Sequence, residues 1–199
     1  MKIETLVLSP YQSNCYIVES NNEAIVIDAA EPNSELLERL KQLNVKYIVS
    51  THAHPDHING NAFLKENLNV PIIIPERDYE MYKAVSETEL GENDIFINEG
   101  DLIQFGGTSL ELIYTPGHSP GHSILMERDE RIIFIGDLIF AGSIGRTDFP
   151  GCSPSDMRES LTRVINFEGD WTLYPGHGPV TTLDRERETN PFLADLQSI

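Results

Sequence analysis

Basic side chains are scarce: 14 Lys and Arg stand against 32 Asp and Glu, a formal charge of -18. Phosphate backbones would be repelled, and no basic stretch is present to track them. A nuclease is therefore disfavoured and no nucleic-acid partner is expected. Cysteine is nearly absent too, with 2 residues, Cys15 and Cys152. That count builds no disulfide framework, so a reduced, cytoplasmic protein with buried, inert thiols is expected. Apolar runs are strand-sized at most, as at 132–135. A membrane helix needs roughly 20 apolar residues, so no membrane partner is expected. The opening residues 1–5 lack a basic patch leading into a long apolar stretch, and no secretory leader is expected. Repeats, low-complexity tracts and long polar linkers are also missing. The 199 residues then read as one domain spanning 1–199.

What is present is a chain of short β-like runs with helices set between them. Residues 3–8, 15–19 and 24–27 read as strands, and Asn21-Asn22 reads as a hairpin turn. Residues 34–43 read as an amphipathic helix with Leu36, Leu37, Leu40 and Leu43 on one face. A strand at 45–49 runs into a histidine cluster. Helices are expected at 59–66 and 76–84, around a strand at 72–74, and then a loop from 86 to 99. Strands follow at 102–105, 109–114, 123–127 and 131–135. A helix at 154–164 has Ser153 as its N-cap, a strand lies at 171–174, and a last helix at 183–189 breaks at Asn190-Pro191. Strands with helices between them in both halves predict an α/β layered domain.

All 6 histidines fall in three short motifs. These are Thr51-His52-Ala53-His54-Pro55-Asp56-His57, Thr115-Pro116-Gly117-His118-Ser119-Pro120-Gly121-His122 and Tyr174-Pro175-Gly176-His177-Gly178-Pro179. Asp137 follows the apolar run and Gly136. His52, His118, Asp137 and His177 each sit just past a predicted strand, on loops that can converge at one sheet edge. Gly117, Gly136 and Gly176 are read as sharp turns before the ligands. Imidazole nitrogens and carboxylates are the usual ligands of zinc and non-haem iron. Asp56 and His57 are adjacent, so they would serve a different ion from His52 and His54. His118, Asp137 and His177 complete two sets, with Asp137 able to bridge ions about 3.5–4 Å apart. His122 is left over and reads as structural or as a support for a ligand.

Taken together, these residues resemble the metallo-β-lactamase superfamily, whose hallmark is His-X-His-X-Asp-His followed by a distant His, Asp and His. The resemblance implies an αββα sandwich of two mixed β-sheets flanked by helices, with the site at one edge. It assigns His52, His54 and His118 to one metal, Asp56, His57 and His177 to a second, and Asp137 to both. Within the superfamily, the stretch Ser143-Ile144-Gly145-Arg146-Thr147-Asp148-Phe149-Pro150-Gly151 is similar to the glyoxalase II group, especially its short bacterial members. So is Pro175-Gly176-His177-Gly178-Pro179 with Asn190-Pro191-Phe192 behind it. The implied reaction is thioester hydrolysis, on substrates like S-lactoylglutathione, by a hydroxide shared between two divalent ions. Zinc is the first choice, with iron or manganese as alternatives, and Asp56 orients the hydroxide. Full-length glyoxalase II enzymes add a C-terminal helical domain that binds glutathione. Here 22 residues follow His177, and no such domain is expected.

Two further residues carry open readings. Arg146 either attracts an anionic substrate tail or pairs with Asp148. Asp28 either orients a ligand histidine or simply forms a turn. The main rival function is a mononuclear iron persulfide dioxygenase, which shares the Gly145–Phe149 pattern and would use His52 or a neighbour, His118 and Asp137. A binding protein without turnover is a second rival, disfavoured by the complete ligand set.

Overall fold

The structure is a computed structural model describing residues 1–86 and 89–196. The first sheet runs β1 (Lys2–Leu8), β2 (Ser13–Ser20), β3 (Glu23–Ile27), β4 (Val45–Val49), β5 (Ile72–Pro75), β6 (Ile95–Ile97), each strand beside the next. The first pairings are antiparallel, and β3 to β6 are parallel. The second half contributes β7 (Leu102–Phe105), β8 (Thr108–Tyr114), β9 (Ser123–Glu127) and β10 (Ile132–Gly136). A small hairpin of β11 (Ile139–Phe140) and β12 (Ser143–Ile144) follows, then β13 (Thr172–Pro175) and β14 (Thr181–Thr182). The second sheet has the order β14-β13-β10-β9-β8-β7 and is antiparallel except where β10 meets β13.

Helices α1 (Ser34–Leu40), α2 (Pro55–Ile58), α3 (Asn61–Leu68) and α4 (Tyr79–Val85) belong to the first half. The second half carries α5 (Pro154–Ile165), α6 (Leu183–Thr189) and α7 (Pro191–Ala194). Strand alternation explains the layering. On β3, Ile25 and Ile27 face a central core shared with the second sheet, while Val26 joins Leu36, Leu40 and Leu64 under α1 and α3. On β10, Ile132 and Phe134 face the same centre, and Ile133 and Ile135 pack against Met157, Leu161 and Val164 of α5. Both sheets are thus buried on two faces, which gives helix, sheet, sheet, helix. The expected α/β sandwich of two mixed sheets is the fold observed.

Local chemistry sets several joints. Asn21 and Asn22 both take positive φ, as a tight hairpin between β2 and β3 requires. Asn33 and Ser153 cap α1 and α5 through their side chains. The loop expected at 86–99 is corrected: it contains β6, a three-residue strand that pairs Ile73 with Ile95. Residues 87 and 88 of that stretch lie outside the described residues. Ile95 and Phe96 are exposed on this short edge strand, so they show no buried alternation. The single helix expected at 76–84 is a 3-10 turn, Glu76–Asp78, followed by α4. No helix among the described residues is long and apolar enough to cross a membrane.

Candidate metal centre

Loops at the ends of β4, β8, β10 and β13 bring the predicted residues together. His52 and His54 leave β4, and Pro55 starts the single turn of α2 that presents Asp56 and His57. His118 lies between β8 and β9, Asp137 follows β10 directly, and His177 follows β13. The nitrogen atoms of His52, His54 and His118 lie within 4.8 Å of one another, and the donor atoms of Asp56, His57 and His177 form a second such group. Asp137 touches both groups. Its Oδ2 is 3.3 Å from His118 Nε2 and 3.5 Å from His177 Nε2, and its Oδ1 is 3.5 Å from His57 Nε2.

Outer hydrogen bonds decide which nitrogen of each ring faces inward. Thr51 donates its hydroxyl to Asp28 Oδ2 at 2.8 Å, so its oxygen accepts from His52 Nδ1 at 3.0 Å. His57 Nδ1 faces Asp28 Oδ2 at 3.0 Å. His118 Nδ1 donates to the Arg146 carbonyl at 2.8 Å, and His177 Nδ1 to the Tyr11 carbonyl at 3.1 Å. With each Nδ1 proton spent outward, Nε2 is the nitrogen turned toward the centre. His54 is reversed, with its Nδ1 facing His118 Nε2 at 2.8 Å.

The inner atoms lack partners. His52 Nε2, His57 Nε2 and Asp137 Oδ1 are buried without any hydrogen bond. Each unsatisfied buried polar group costs roughly 1–3 kcal/mol, against a domain stability of about 5–15 kcal/mol. A group that takes lone pairs from several directions removes that cost, and a cation does so. The donor set and its orphaned atoms therefore fit two metal ions that share a carboxylate.

Electrostatics follow from the crowding. Burial and the neighbouring rings push His52 well below the usual imidazole range, and burial with His118 lowers His54 to about 4. Burial also opposes a charge on His57, but Asp137 and Asp28 hold it well above that range. Burial works against His177 too, yet hydrogen bonds to Asp137 and Asp56 raise it to about 10. Burial would raise Asp56, but His177 and His57 bring it to about 2. Asp137 is held well below the carboxylate range despite its burial, because His57, His118 and His177 surround it.

His122 has both nitrogens committed. Nδ1 lies 3.1 Å from the Thr115 carbonyl and 2.9 Å from its hydroxyl, while Nε2 accepts the Asp137 N–H at 2.9 Å. It supports the carboxylate and offers no lone pair to the centre. Asp28 satisfies both of its readings: it turns the chain at φ 55 after β3 and orients His57. Of the three glycines, Gly117 and Gly136 have positive φ. Gly176 instead lets the backbone pass close to Asp137 Oδ1 and His57, where a Cβ would collide.

Arg146 makes a bidentate pair with Asp148 at 2.6 and 2.7 Å and lies over the Phe149 ring. It also lines a cleft of about 640 Å³ that opens onto His54, Asp56, His118, Asp137 and His177. The buried-thiol expectation holds for Cys15 and is corrected for Cys152. Cys152 is half-buried at the end of the 143–151 loop, with Sγ 3.0 Å from the His118 carbonyl. That loop returns to the site, which a residue-type argument does not reveal.

Three residues were missed. Ser13 donates its hydroxyl to Asp56 Oδ2 at 3.0 Å. Asn14 holds the His177 loop through the carbonyls of Pro175 and Gly178, both at 2.8 Å. Buried Asp78 accepts from Ala53 N at 2.9 Å, Ser119 Oγ at 2.7 Å and Gly121 N at 2.5 Å, joining the first two histidine motifs. A lone acid between a strand and a helix carries no spacing signal. Its burial alone marks it.

The sequence pattern of the metallo-beta-lactamase superfamily matches residues 8–177, and the chain belongs to that superfamily. It is 31% identical to the hydroxyacylglutathione hydrolase GloC of Haemophilus influenzae, over 97% of this chain and 98% of that one. It is also 31% identical to the human mitochondrial persulfide dioxygenase ETHE1, over 87% of this chain and 67% of that one. Among solved structures, TTHA1623 in a di-iron-bound form superposes with a TM-score of 0.85 at 33% identity, covering 96% of this chain and 100% of that one.

Proposed function

We propose that this chain is a thioester hydrolase of the hydroxyacylglutathione hydrolase type. It would hold one divalent ion on His52, His54 and His118 and a second on Asp56, His57 and His177, with Asp137 shared. Zinc is the first choice of metal. The observation that carries the reading is the position of Asp137 Oδ2, 3.3 Å from one ligand set and 3.5 Å from the other. Bound there, two such ions would supply a nucleophilic hydroxide at neutral pH and polarise a carbonyl.

The protein's own part is positioning. Asp56 is held by Ser13 on Oδ2 and stays ionised, so it can orient the attacking hydroxide. Asp28, Thr51, Tyr11 and Arg146 fix the rings from outside, each through an oxygen that accepts an imidazole proton. Arg146 lines the cleft wall, where it would meet the substrate. A reduced, cytoplasmic setting agrees with two free thiols. The test is turnover of S-lactoylglutathione and simple thioesters, with bound metal measured on the same sample. Two ions per chain and thioester cleavage support the reading.

A second reading, persulfide dioxygenase, is supported by the human relative at 31% identity. One iron per chain with oxygen uptake on glutathione persulfide, and no thioester cleavage, would replace the hydrolase proposal.

A further inference from the structure

The cleft over the metal centre is apolar to a degree that a charged substrate does not require. Tyr11, Met81, Val85, Phe140, Ile144 and Phe149 line it. Tyr11, Val85 and Phe149 are 72%, 39% and 44% exposed, and all three border the same opening. Large apolar side chains gathered at one concave surface mark a ligand site rather than ordinary scattered exposure. At about 640 Å³, the space lies in the ordinary range for a small organic ligand.

The charged groups of the wall point the same way. A glutathione conjugate carries carboxylates and an ammonium, and binding it calls for matching charges in the wall. Among the described residues lining the cleft, Arg146 is the one basic side chain besides the histidines. Its Nε and Nη2 already face the two oxygens of Asp148, and its guanidinium plane lies 3.7 Å from the Phe149 ring centre. Its charge is therefore balanced and its face is covered by an aromatic ring. The chain as a whole carries -18, and the described wall itself offers an anionic carrier no unmatched guanidinium or ammonium.

We infer that the preferred substrates are thioesters with an uncharged, apolar acyl group, aliphatic or aryl, rather than polar hydroxyacyl conjugates of an anionic thiol. The inference rests on the hydrolase reading for its chemistry and on the cleft wall for its specificity. The acyl chain would lie against Val85, Met81 and Phe149 while the carbonyl faces Asp56 and Asp137. Each methylene moved from water to such a wall contributes up to about fourfold in an equilibrium or specificity constant.

The metal-loaded protein should be given N-acetylcysteamine thioesters from acetyl to octanoyl, with S-lactoylglutathione alongside. The expected result is a kcat/KM that rises about two- to fourfold per methylene and passes that of S-lactoylglutathione. Phe149→Ala and Val85→Ala should each shrink that gain, whereas Leu102→Ala, on an exposed edge strand outside the cleft, should leave it unchanged. Dissociation constants of thioether analogues that lack the carbonyl should be read in the same series. Binding that tightens with chain length while no thioester is cleaved removes the hydrolase reading and keeps the apolar wall. Cleavage with a flat length dependence, or with S-lactoylglutathione preferred tenfold or more, overturns the inference and leaves the hydrolase standing.

Discussion

Asp28 Oδ2 lies 3.0 Å from His57 Nδ1 and also accepts the Thr51 hydroxyl, which in turn takes the Nδ1 proton of His52. One buried carboxylate thus sets the tautomer of a histidine in each ligand set. Replacement of Asp28 by Asn keeps a residue tolerant of φ 55 while removing the charge. Metal affinity should fall about 10- to 100-fold, since supports of ligand histidines are worth that much. Competition with a coloured chelator measures it, and an unchanged affinity would show that Asp28 serves the turn alone.

His122 tests a different support. Its Nε2 accepts the Asp137 N–H, so His122→Ala leaves that donor bare and opens a hole beside the shared carboxylate. Denaturant unfolding should show a loss of about 2–4 kcal/mol in the metal-free protein. Metal content should drop as well, because the Asp137 backbone loses its anchor.

Gly136 sits against that same ring. A Cβ there would lie 2.7 Å from His122 Nε2, on a residue at φ 51. Overpacking with a left-handed alanine predicts that Gly136→Ala is destabilised by about 2–4 kcal/mol. A melting temperature within a degree of wild type would contradict the packing described.

Asp56 separates binding from chemistry. Asp56→Asn keeps an oxygen for the Ser13 hydroxyl but loses the charge that orients the hydroxide. Thioester kcat should fall about 100-fold or more in samples whose metal content is matched to wild type. Full activity at equal loading would remove Asp56 from the proposed mechanism.

Metal uptake should release protons. In the metal-free chain His177 is raised to about 10 and His57 is held high, so both carry protons at neutral pH. His52 and His54 are lowered and Asp56 sits at about 2, so they surrender none. Loading at pH 7 should therefore release on the order of one to two protons, and affinity should climb with pH toward about 10. Calorimetry in buffers of different ionisation enthalpy counts them. For the metal-free protein the sign is opposite. A histidine raised on folding stabilises fully below its ordinary value near 6.5, and that part is lost as pH rises through about 10. Chelator-treated protein should accordingly weaken across that window while loaded protein does not.

Much of this was legible because the relevant signals are local. Strand alternation, Asn-Asn hairpin geometry and N-caps act over a few residues, so β3, β10 and α5 could be placed from sequence. The histidine motifs were legible for the same reason: residue type plus position after a strand marks loops whose donor side chains can converge. Strand β6 was not, because three residues on a sheet edge, two of them exposed and one buried, are too few to show a period. Asp78 and Asn14 were not, because their partners lie 25 and 161 positions away or more in sequence. Cys152 was misplaced because half-burial depends on how the 143–151 loop folds back.

By itself, the sequence determined the set of seven metal-type side chains and the alternation that buries both faces of two sheets. Those follow from residue chemistry and from the period of a strand. Only the tertiary structure decided that Asp137 stands between the two sets, that the Nδ1 protons turn outward, and that Arg146 is matched by Asp148 over an apolar cleft. These depend on distances between loops far apart in the chain, which packing fixes and spacing does not.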